Sequence, residues 1–405
     1  MTEQKKIVII GGGAAGLLAA DLLSATCAVH LYEKGKTLGR KFLVAGKGGF
    51  NLTHAATGSE LAARYRPAGW LDAALAAFDT AATRQWLAAL GIPTFVGTSG
   101  RVFPEKGIKP VQVLQKIKDR LKQQGVRFHF QHEFTGFDPD HRPLVRQGQR
   151  ELSLQADHYL FALGGASWPV TGANSQWLAA FGRLGIRTVP FQASNCGVEV
   201  PWPADFAAAY AGTPLKNLLV TAGDACQKGE ALITDYGLEG NAIYPLAPAL
   251  RQALDSASAP CLEIDFKPQN SPRQLLDKVR HGNLRPKNYA HAFNLSKAQL
   301  ALIKVFTTKE QYQDPALFIR ELKALRVPVA ALRPLAEAIS TVGGIPREEV
   351  NPDFTLKAYP HIAVVGEMLD WDAPTGGFLL QGCFSTAHYA AWAILNQKQF
   401  SKKEV

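Results

Sequence analysis

Residues 6–16 read KIVIIGGGAAG, and this stretch decides how the N-terminal part of the chain folds. Residues 6–10 are a short β-branched run typical of a buried parallel strand, and residues 14–24 are apolar enough for a buried helix. Residues 28–32 indicate a second strand. A strand, a helix and a strand within about thirty residues form one βαβ unit, which predicts the α/β class.

The three glycines Gly11, Gly13 and Gly16 stand as GxGxxG between that strand and that helix. The first permits a tight turn, the second lets a pyrophosphate approach the backbone, and the third lets the helix pack closely on the strand. Free N–H groups and the positive end of the helix then meet the phosphates. The pattern therefore predicts a dinucleotide site, against the alternative of a glycine turn that binds nothing.

Glu33 ends the second strand, about twenty residues beyond the glycine turn, as the dinucleotide fingerprint requires. A carboxylate there can accept both hydroxyls of an adenosine ribose and would repel a 2′-phosphate. We therefore expect an unphosphorylated ribose, and a solvated surface Glu33 is the alternative.

The fingerprint alone does not separate FAD from NAD, because both carry the same ADP half. Three later clusters favour FAD: residues 39–41 (GRK), residues 162–167 (ALGGAS), and Gly366-Glu367 with Gly376-Gly377 before the last helix. A single NAD site would not need them. No second strand-GxGxxG-helix unit follows, so any NAD(P)H is expected to bind transiently.

The composition fits a globular chain of several domains, with 405 residues of which 47% are hydrophobic and 19% charged. The net charge of +10 comes without a block of like charges, so it fits anionic cofactors and solubility as well as RNA. The five cysteines lie far apart, without CxxC or metal-ligand spacing, which predicts free thiols in the cytoplasm and no metal. No apolar run is long enough to predict a membrane span.

Turn signals and periodicity divide the chain into three predicted domains. Residues 1–190 with 341–405 form an FAD-binding Rossmann-like domain, residues 191–270 an inserted β-rich domain, and residues 271–340 a helical subdomain.

Five motifs in order carry a resemblance to a known family. They are GRKFLVAGKGGFNLTH (39–54), GRVFPEKGIKPVQVL (100–114), ALGGASWPVTG (162–172), KGEALITDYGLEGNAI (228–243) and the segment 340–387 that begins STVGGIPREEV. Together they resemble the BaiN-type, YhiN-like NAD(P)/FAD-dependent oxidoreductases over nearly the whole chain. The resemblance implies a glutathione-reductase-like FAD domain made of both chain ends, interrupted by a β-barrel-like domain and a small helical one.

Carried over position by position, the resemblance also implies a set of FAD contacts. These are Gly11, Gly13, Ala14, Ala15, Gly16, Glu33, Lys34, Gly39, Arg40, Lys41, Val126, Gly164, Gly366, Glu367, Gly376, Gly377 and Phe378. Usual members carry Gly-Gly-Arg-Cys-Asn where this chain has GKGGFN at residues 46–51. The cysteine and arginine beside the flavin are therefore missing, and the activities of other members do not transfer.

Candidates for catalysis are few. Tyr236 can donate a proton to substrate, His54 can act in acid–base chemistry, and Asn51 with Phe50 can line the flavin face. The structural alternatives are a tyrosine with a satisfied hydroxyl, a structural histidine, and a capped turn with a packed aromatic. Arg101 either binds an anionic substrate or pairs with a nearby carboxylate, and we expect the pair.

These features predict an FAD-dependent oxidoreductase that acts on an unidentified small molecule by hydride transfer at flavin N5, with NAD(P)H or oxygen as a transient partner. The glycine pair at Gly376-Gly377 would place the positive end of the last helix at N1 and O2 of reduced flavin. One alternative is a flavoprotein acting on RNA, which the basic residues of segment 273–287 favour. Another is a flavin-binding redox sensor without turnover.

Overall fold

The structure, a computed structural model, describes residues 4–44, 49–256, 259–282 and 284–400, except for the side chains of 397–400. The chain forms two compact units. Unit 1 comprises the residues up to Gln192 and those from Ser340 onward, and unit 2 is Ala193–Ile339. Residues 191, 192 and 340 of the two predicted inserted domains belong to unit 1, and their other residues lie in unit 2. The first and last parts of the chain share unit 1.

The strands in chain order are β1 (Lys6–Ile10), β2 (Ala28–Glu33), β3 (Thr53–His54), β4 (Thr94–Val96), β5 (Arg101–Pro104), β6 (Arg127–Phe130), β7 (Glu133–Phe137), β8 (Pro143–Gln147), β9 (Arg150–Ser153), β10 (His158–Phe161), β11 (Val189–Ser194), β12 (Val198–Glu199), β13 (Pro214–Ala222), β14 (Ala225–Ile233), β15 (Gly237–Glu239), β16 (Cys261–Asp265), β17 (Leu325–Pro328), β18 (Ala331–Leu332), β19 (Ser340–Gly344) and β20 (Ile362–Val364).

The helices are α1 (Ala14–Leu23), α2 (Arg40–Val44), α3 (Gly58–Ala62), α4 (Asp72–Ala77), α5 (Thr80–Ala89), α6 (Pro110–Gln123), α7 (Gln176–Arg183), α8 (Ala204–Tyr210), α9 (Ala247–Asp255), α10 (Pro272–His281), α11 (Tyr289–Ala292), α12 (Lys297–Val305), α13 (Lys309–Gln313), α14 (Pro315–Lys323) and α15 (Phe378–Phe400).

A five-stranded sheet of order β20-β10-β1-β2-β6 forms the centre of unit 1, and all its described pairs are parallel. Side chains alternate along β1, so Ile7 and Ile9 enter one core while Val8 and Ile10 enter another. Helices α1 and α15 pack together, and residues of both line the first core. The second core holds Phe161 and residues of α7. Both faces of the sheet are thus covered, as parallel sheets require.

Unit 1 also contains smaller sheets. Strands β3, β5 and β4 form one antiparallel sheet, and β7, β8 and β9 form another. The sheet of β3 and β5 matters for function because it carries His54 and Arg101 in register.

Unit 2 consists of a seven-stranded antiparallel sheet and a group of helices that share one core. The strand order is β17-β16-β13-β14-β15-β12-β18. Helices α10 and α14 each begin with proline in the first turn, and the side chains of Ser271 and Asp314 accept the N–H groups three residues ahead. Tyr289 and Phe318 stack in the core with ring centroids 4.0 Å apart.

An imidazole pair lies on one face of the sheet in unit 1, where β2 pairs with β6. His30 Nδ1 lies 3.1 Å from His129 Nε2, and the His129 ring stacks on Tyr32 at 4.2 Å. Burial, and then the neighbouring His30 and His132, lower the pKa of His129 to about 4. Burial also lowers the pKa of His30. Both rings are therefore neutral at physiological pH.

Within the described ranges, no helix combines the length and apolar character that crossing a bilayer needs. Each of the five cysteines is a thiol rather than half of a disulfide.

Candidate dinucleotide site

The glycine turn leaves no space for side chains at its first and third glycines. A Cβ on Gly11, whose φ is +109°, would come within 2.3 Å of the carbonyl oxygen of Ala162, and one on Gly16 within 2.0 Å of the carbonyl oxygen of Gly11. Real Cβ atoms do not approach this closely, so both positions need glycine. The turn therefore closes tightly between β1, β10 and α1.

Gly13 differs, because a Cβ there would meet nothing within 4 Å. It is the N-cap of α1, it lacks a side-chain cap, and the first turn of α1 contains no acidic residue. The first N–H groups of the helix are thus not taken by a capping side chain, and open space lies beside them. This is the arrangement that accepts a pyrophosphate.

Glu33 is held beside the turn by two backbone donors. Gly12 N–H donates to its Oε2 at 2.9 Å, and Gly35 N–H donates to its Oε1 at 2.7 Å. Each carboxylate oxygen keeps a lone pair for a further donor. The carboxylate is thereby oriented at the carboxyl end of β2, where the fingerprint needs a ribose acceptor.

The GRK cluster lies against the glycine turn. Gly39 N–H donates to the carbonyl of Gly12 at 2.9 Å, and α2 begins at the next residue. Arg40 donates to the carbonyl of Val170 at 2.8 Å. Burial lowers the pKa of Lys34, which lies nearby. This segment brings cationic groups close to the predicted pyrophosphate position.

Residues 162–167 and Gly366-Glu367 lie close to the turn and to each other. A Cβ on Gly366 would lie 3.2 Å from Cβ of Ala15, so the backbone there passes close to the start of α1. A Cβ on Gly165 would clash with Thr341 and lie 3.6 Å from Cβ of Glu367. Gly164 itself adopts a φ of +75°.

Lys41 Nζ contacts Glu367 Oε2 at 2.7 Å. The structure therefore brings together segments that lie far apart in the sequence.

The last helix begins at the predicted glycine pair. Gly376 and Gly377 have φ values of +110° and +105°. A Cβ on Gly377 would lie 2.3 Å from backbone atoms of Thr53, so β3 fixes where α15 begins. The fully buried Gln381 strengthens this junction, because its Oε1 accepts the hydroxyls of Thr53 at 2.6 Å and Thr83 at 2.8 Å.

Arg101 lies beside that helix start. Its Nε is 3.5 Å from where a Cβ on Gly376 would be. In the part of the chain that the structure describes, no carboxylate pairs with Arg101, which is contrary to the ion pair we expected. The guanidinium is therefore available next to the positive end of α15.

The catalytic candidates have different surroundings. His54 accepts the Ala56 N–H at Nδ1 (3.0 Å), so its Nε2 carries the proton toward the Ser99 carbonyl (3.2 Å), and burial lowers its pKa. The His54 ring stacks on Phe378, the first residue of α15, at 4.6 Å. Both nitrogens are thus already engaged, which makes an acid–base role for His54 harder to support.

Asn51 is partly buried, and its neighbour Phe50 packs edge-on against Phe42 at 5.0 Å. Of the segment 46–51 that departs from the usual family pattern, residues 46–48 lie outside the described residues.

Tyr236 belongs to unit 2. Its hydroxyl donates to Glu239 at 2.6 Å, and the guanidinium of Arg333 lies 4.0 Å from the ring centroid. Burial and the bond to Glu239 raise its pKa, so the phenol stays protonated.

Val126 is at the wrong end of its strand for a cofactor contact. It precedes β6, whose Phe130 pairs with Glu33, and its side chain is buried in the first core. Residues at the other end of β6 meet the site instead: Gln131 N–H donates to the carbonyl of Gly35, and His132 N–H to that of Glu33. Parallel strands present their carboxyl ends at one edge, so a correct strand boundary would have indicated these residues.

The fold and the site define an FAD-dependent oxidoreductase: a parallel sheet with a glycine turn, the oriented carboxylate of Glu33, and further clusters that lie against the turn. Over residues 5–393 the chain matches the family described as HI0933-like protein Rossmann domain. The chain belongs to this family, which agrees with the resemblance seen in the sequence.

Similar proteins extend over nearly the full length. A 3-dehydro-bile acid delta(4,6)-reductase of Clostridium scindens is 24% identical, with 96% of this chain and 98% of that protein covered. A ribosomal RNA dihydrouridine synthase of Haemophilus influenzae is also 24% identical, over 98% of this chain and 100% of that protein. Among solved structures, a 3-ketosteroid delta1-dehydrogenase from Sterolibacterium denitrificans shares the fold, with a TM-score of 0.50 and 12% identity over 98% of this chain and 100% of that chain.

Proposed function

We propose that this oxidoreductase reduces a carbon–carbon double bond conjugated to a carbonyl. FAD supplies the hydride at N5 when it is bound. The observation that carries the proposal is the shared chemistry of two relatives matched over nearly the whole chain. A 3-oxo bile acid with a double bond at C4 is an enone, and dihydrouridine is uridine whose double bond next to the C4 carbonyl is saturated.

Different residues of unit 1 would bind different parts of the cofactor. The open N-terminus of α1 at Gly13 would accept the pyrophosphate, and Glu33 would accept the ribose hydroxyls. Lys41 and Glu367, which lie where the two chain ends meet, would bind the middle of the cofactor. The N-terminus of α15 at Gly377 would stabilise negative charge on the reduced flavin.

Arg101 is the residue we assign to the developing negative charge. Hydride addition to a conjugated double bond places charge on the carbonyl oxygen, and a guanidinium without a carboxylate partner is suited to hold it. A proton must then reach the neighbouring carbon. The hydride comes from NAD(P)H, which is oxidised to NAD(P)⁺, while oxygen remains the competing acceptor.

Anaerobic stopped-flow absorbance tests this assignment. The FAD-loaded protein is first reduced with NADH, NADPH or light, and then mixed with cyclohexenone, a 3-oxo-Δ4 steroid, uridine or air. Faster reoxidation by a conjugated carbonyl compound than by buffer, with recovery of the saturated product, is expected. If none of the conjugated carbonyl compounds reoxidises the flavin faster than buffer does, the proposal is wrong. Arg101→Met should slow reoxidation by substrate more than the flavin reduction that precedes it.

The second candidate substrate is a uracil base carried by RNA rather than a free small molecule. The observation that favours it is the uneven distribution of positive charge in unit 2, which is independent of the relatives.

A further inference from the structure

Positive charge is concentrated in one segment of unit 2. Residues 266–306 contain eight Lys or Arg residues and a single acidic residue, Asp277. The rest of the chain then holds 36 basic and 33 acidic residues. Most of the net charge of +10 therefore comes from about a tenth of the sequence.

Seven of the eight cations of this segment are exposed. Five of them, which we call the basic surface, are Arg273, Lys278, Arg280, Arg285 and Lys287, and all are exposed. The side chain of Arg273 is 93% exposed. Two hydrogen bonds keep this part of the segment compact: Lys278 Nζ donates to the carbonyl of Ala292, and Leu284 N–H donates to that of Val279.

Little negative charge compensates the basic surface. Among the described residues, the one carboxylate that pairs with it is Asp277, 4.0 Å from Arg273. Arg273 and Arg280 also line a groove of about 470 Å³ between α10 and α14, to which Arg320 and Lys323 contribute. Those two cations do have partners, Glu321 at 2.9 Å and Asp265 at 2.5 Å.

The surface lacks the apolar residues that would suit a lipid bilayer. Helices that bind at membrane interfaces present a cationic face together with an exposed apolar face. Here Leu275 and Val279 of α10 are buried in the core of unit 2. The exposed large hydrophobic residues of the described chain lie outside 266–306, for example Val170 and Trp392.

We propose that the basic surface is a docking site for the phosphate backbone of RNA. Lys and Arg side chains without carboxylate partners exchange their counterions for phosphates, which binds RNA without reading its sequence. The inference deepens the second candidate function and rests on it, because that function requires the protein to bind RNA.

Filter binding of the FAD-loaded protein to a labelled single-stranded RNA oligonucleotide over a series of salt concentrations tests the proposal. The test variant replaces four cations of the surface: Arg273→Gln, Arg280→Gln, Arg285→Gln and Lys287→Gln. The matched control replaces four exposed cations of unit 1: Lys106→Gln, Lys109→Gln, Lys116→Gln and Lys122→Gln. Both variants have the same net charge, and circular dichroism with flavin absorbance confirms that both are folded and loaded.

We expect the test variant to bind RNA at least about tenfold more weakly. The slope of log K against log salt should become shallower by about 0.7 for each phosphate that the variant no longer neutralises. The control should keep the slope of the parent protein. Equal weakening in both variants, no binding by the parent at low salt, or equally tight binding to anionic phospholipid vesicles would each overturn the docking site. RNA binding without any reduced uridine in the bound strand would leave the docking site standing and refute the second candidate function instead.

Discussion

The ammonium of Lys41 lies 2.7 Å from the carboxylate of Glu367, which joins positions 326 residues apart in sequence. Glu367 is the more buried partner, with 13% of its side chain exposed against 33% for Lys41. The pair fixes the C-terminal segment beside α2 and the glycine turn. Removing this ion pair should therefore perturb the cofactor site more than it perturbs the central sheet.

Lys41→Met leaves the carboxylate of Glu367 buried without its cation. We expect a loss of about 1–2 kcal/mol in unfolding free energy of the apoprotein and weaker FAD binding. Urea unfolding and FAD titration measure the two effects. Combining Lys41→Met with Glu367→Gln should recover part of the stability, and strictly additive losses would show that the pair is not coupled.

Gly13→Ala and Gly16→Ala form a matched pair that separates cofactor binding from folding. A methyl group at Gly13 meets nothing in the protein, and the poorer N-cap is offset by the lower entropy of the unfolded chain, so apoprotein stability should change by less than about 1 kcal/mol while FAD affinity falls. At Gly16 the same methyl group clashes with the carbonyl of Gly11, so the apoprotein itself should lose stability. Thermal unfolding of both apoproteins and FAD titration distinguish them. Normal FAD affinity in Gly13→Ala would mean that the open space beside α1 does not receive the pyrophosphate.

Glu33→Ala should weaken FAD by about 2–3 kcal/mol, on the order of a hundredfold in Kd, through the loss of charge-assisted bonds to the ribose. The N–H groups of Gly12 and Gly35 also lose their acceptor, but the fold should survive. Isothermal titration of the apoprotein measures the change. Glu33→Gln keeps one acceptor, so its FAD affinity should lie between those of the parent protein and Glu33→Ala. An unchanged affinity in Glu33→Ala would reject the ribose assignment.

The pair of His30 and His129 predicts an acid-dependent loss of stability. Both pKa values are lower in the folded chain than the ordinary 6.5, so the unfolded chain binds more protons as pH falls. The stability from the neutral pair is complete above about pH 6.5 and declines toward pH 4. His129→Phe keeps the stack on Tyr32 and should flatten this pH dependence in urea unfolding. If the free energy of unfolding of His129→Phe depends on pH as it does in the parent protein, other residues cause the loss of stability in acid.

Flavin chemistry should survive replacement of all five cysteines by serine. Each is a thiol, Cys27 and Cys196 are buried, and burial raises the pKa of Cys383, which keeps it protonated. A buried hydroxyl without a partner costs about 1–3 kcal/mol, so stability can fall. Stopped-flow reduction with dithionite and reoxidation by oxygen should match the parent. A folded variant that binds FAD but does not reoxidise would show that a thiol takes part.

Local rules explain why the glycine turn was predictable. Gly11, Gly16 and Glu33 obey spacings set by one strand, one turn and one helix, and the structure places them together. The contact between Lys41 and Glu367 depends on how both chain ends meet, which no local pattern encodes. Val126 was carried over from the resemblance without its position in β6, which the pairing of Phe130 with Glu33 defines. Whether a carboxylate lies beside Arg101 depends on the tertiary fold, which no local pattern encodes.

The central sheet also sets an order of events during synthesis. Strands β1 and β2 leave the ribosome before unit 2, but β20, which pairs with β10 at the edge of the same sheet, follows the whole of unit 2. The glycine turn is thus made before unit 2 and must wait for Gly366 and α15, which are made after it. Unit 2 is complete before unit 1 can be, so the cofactor site can form only after unit 2 has been translated.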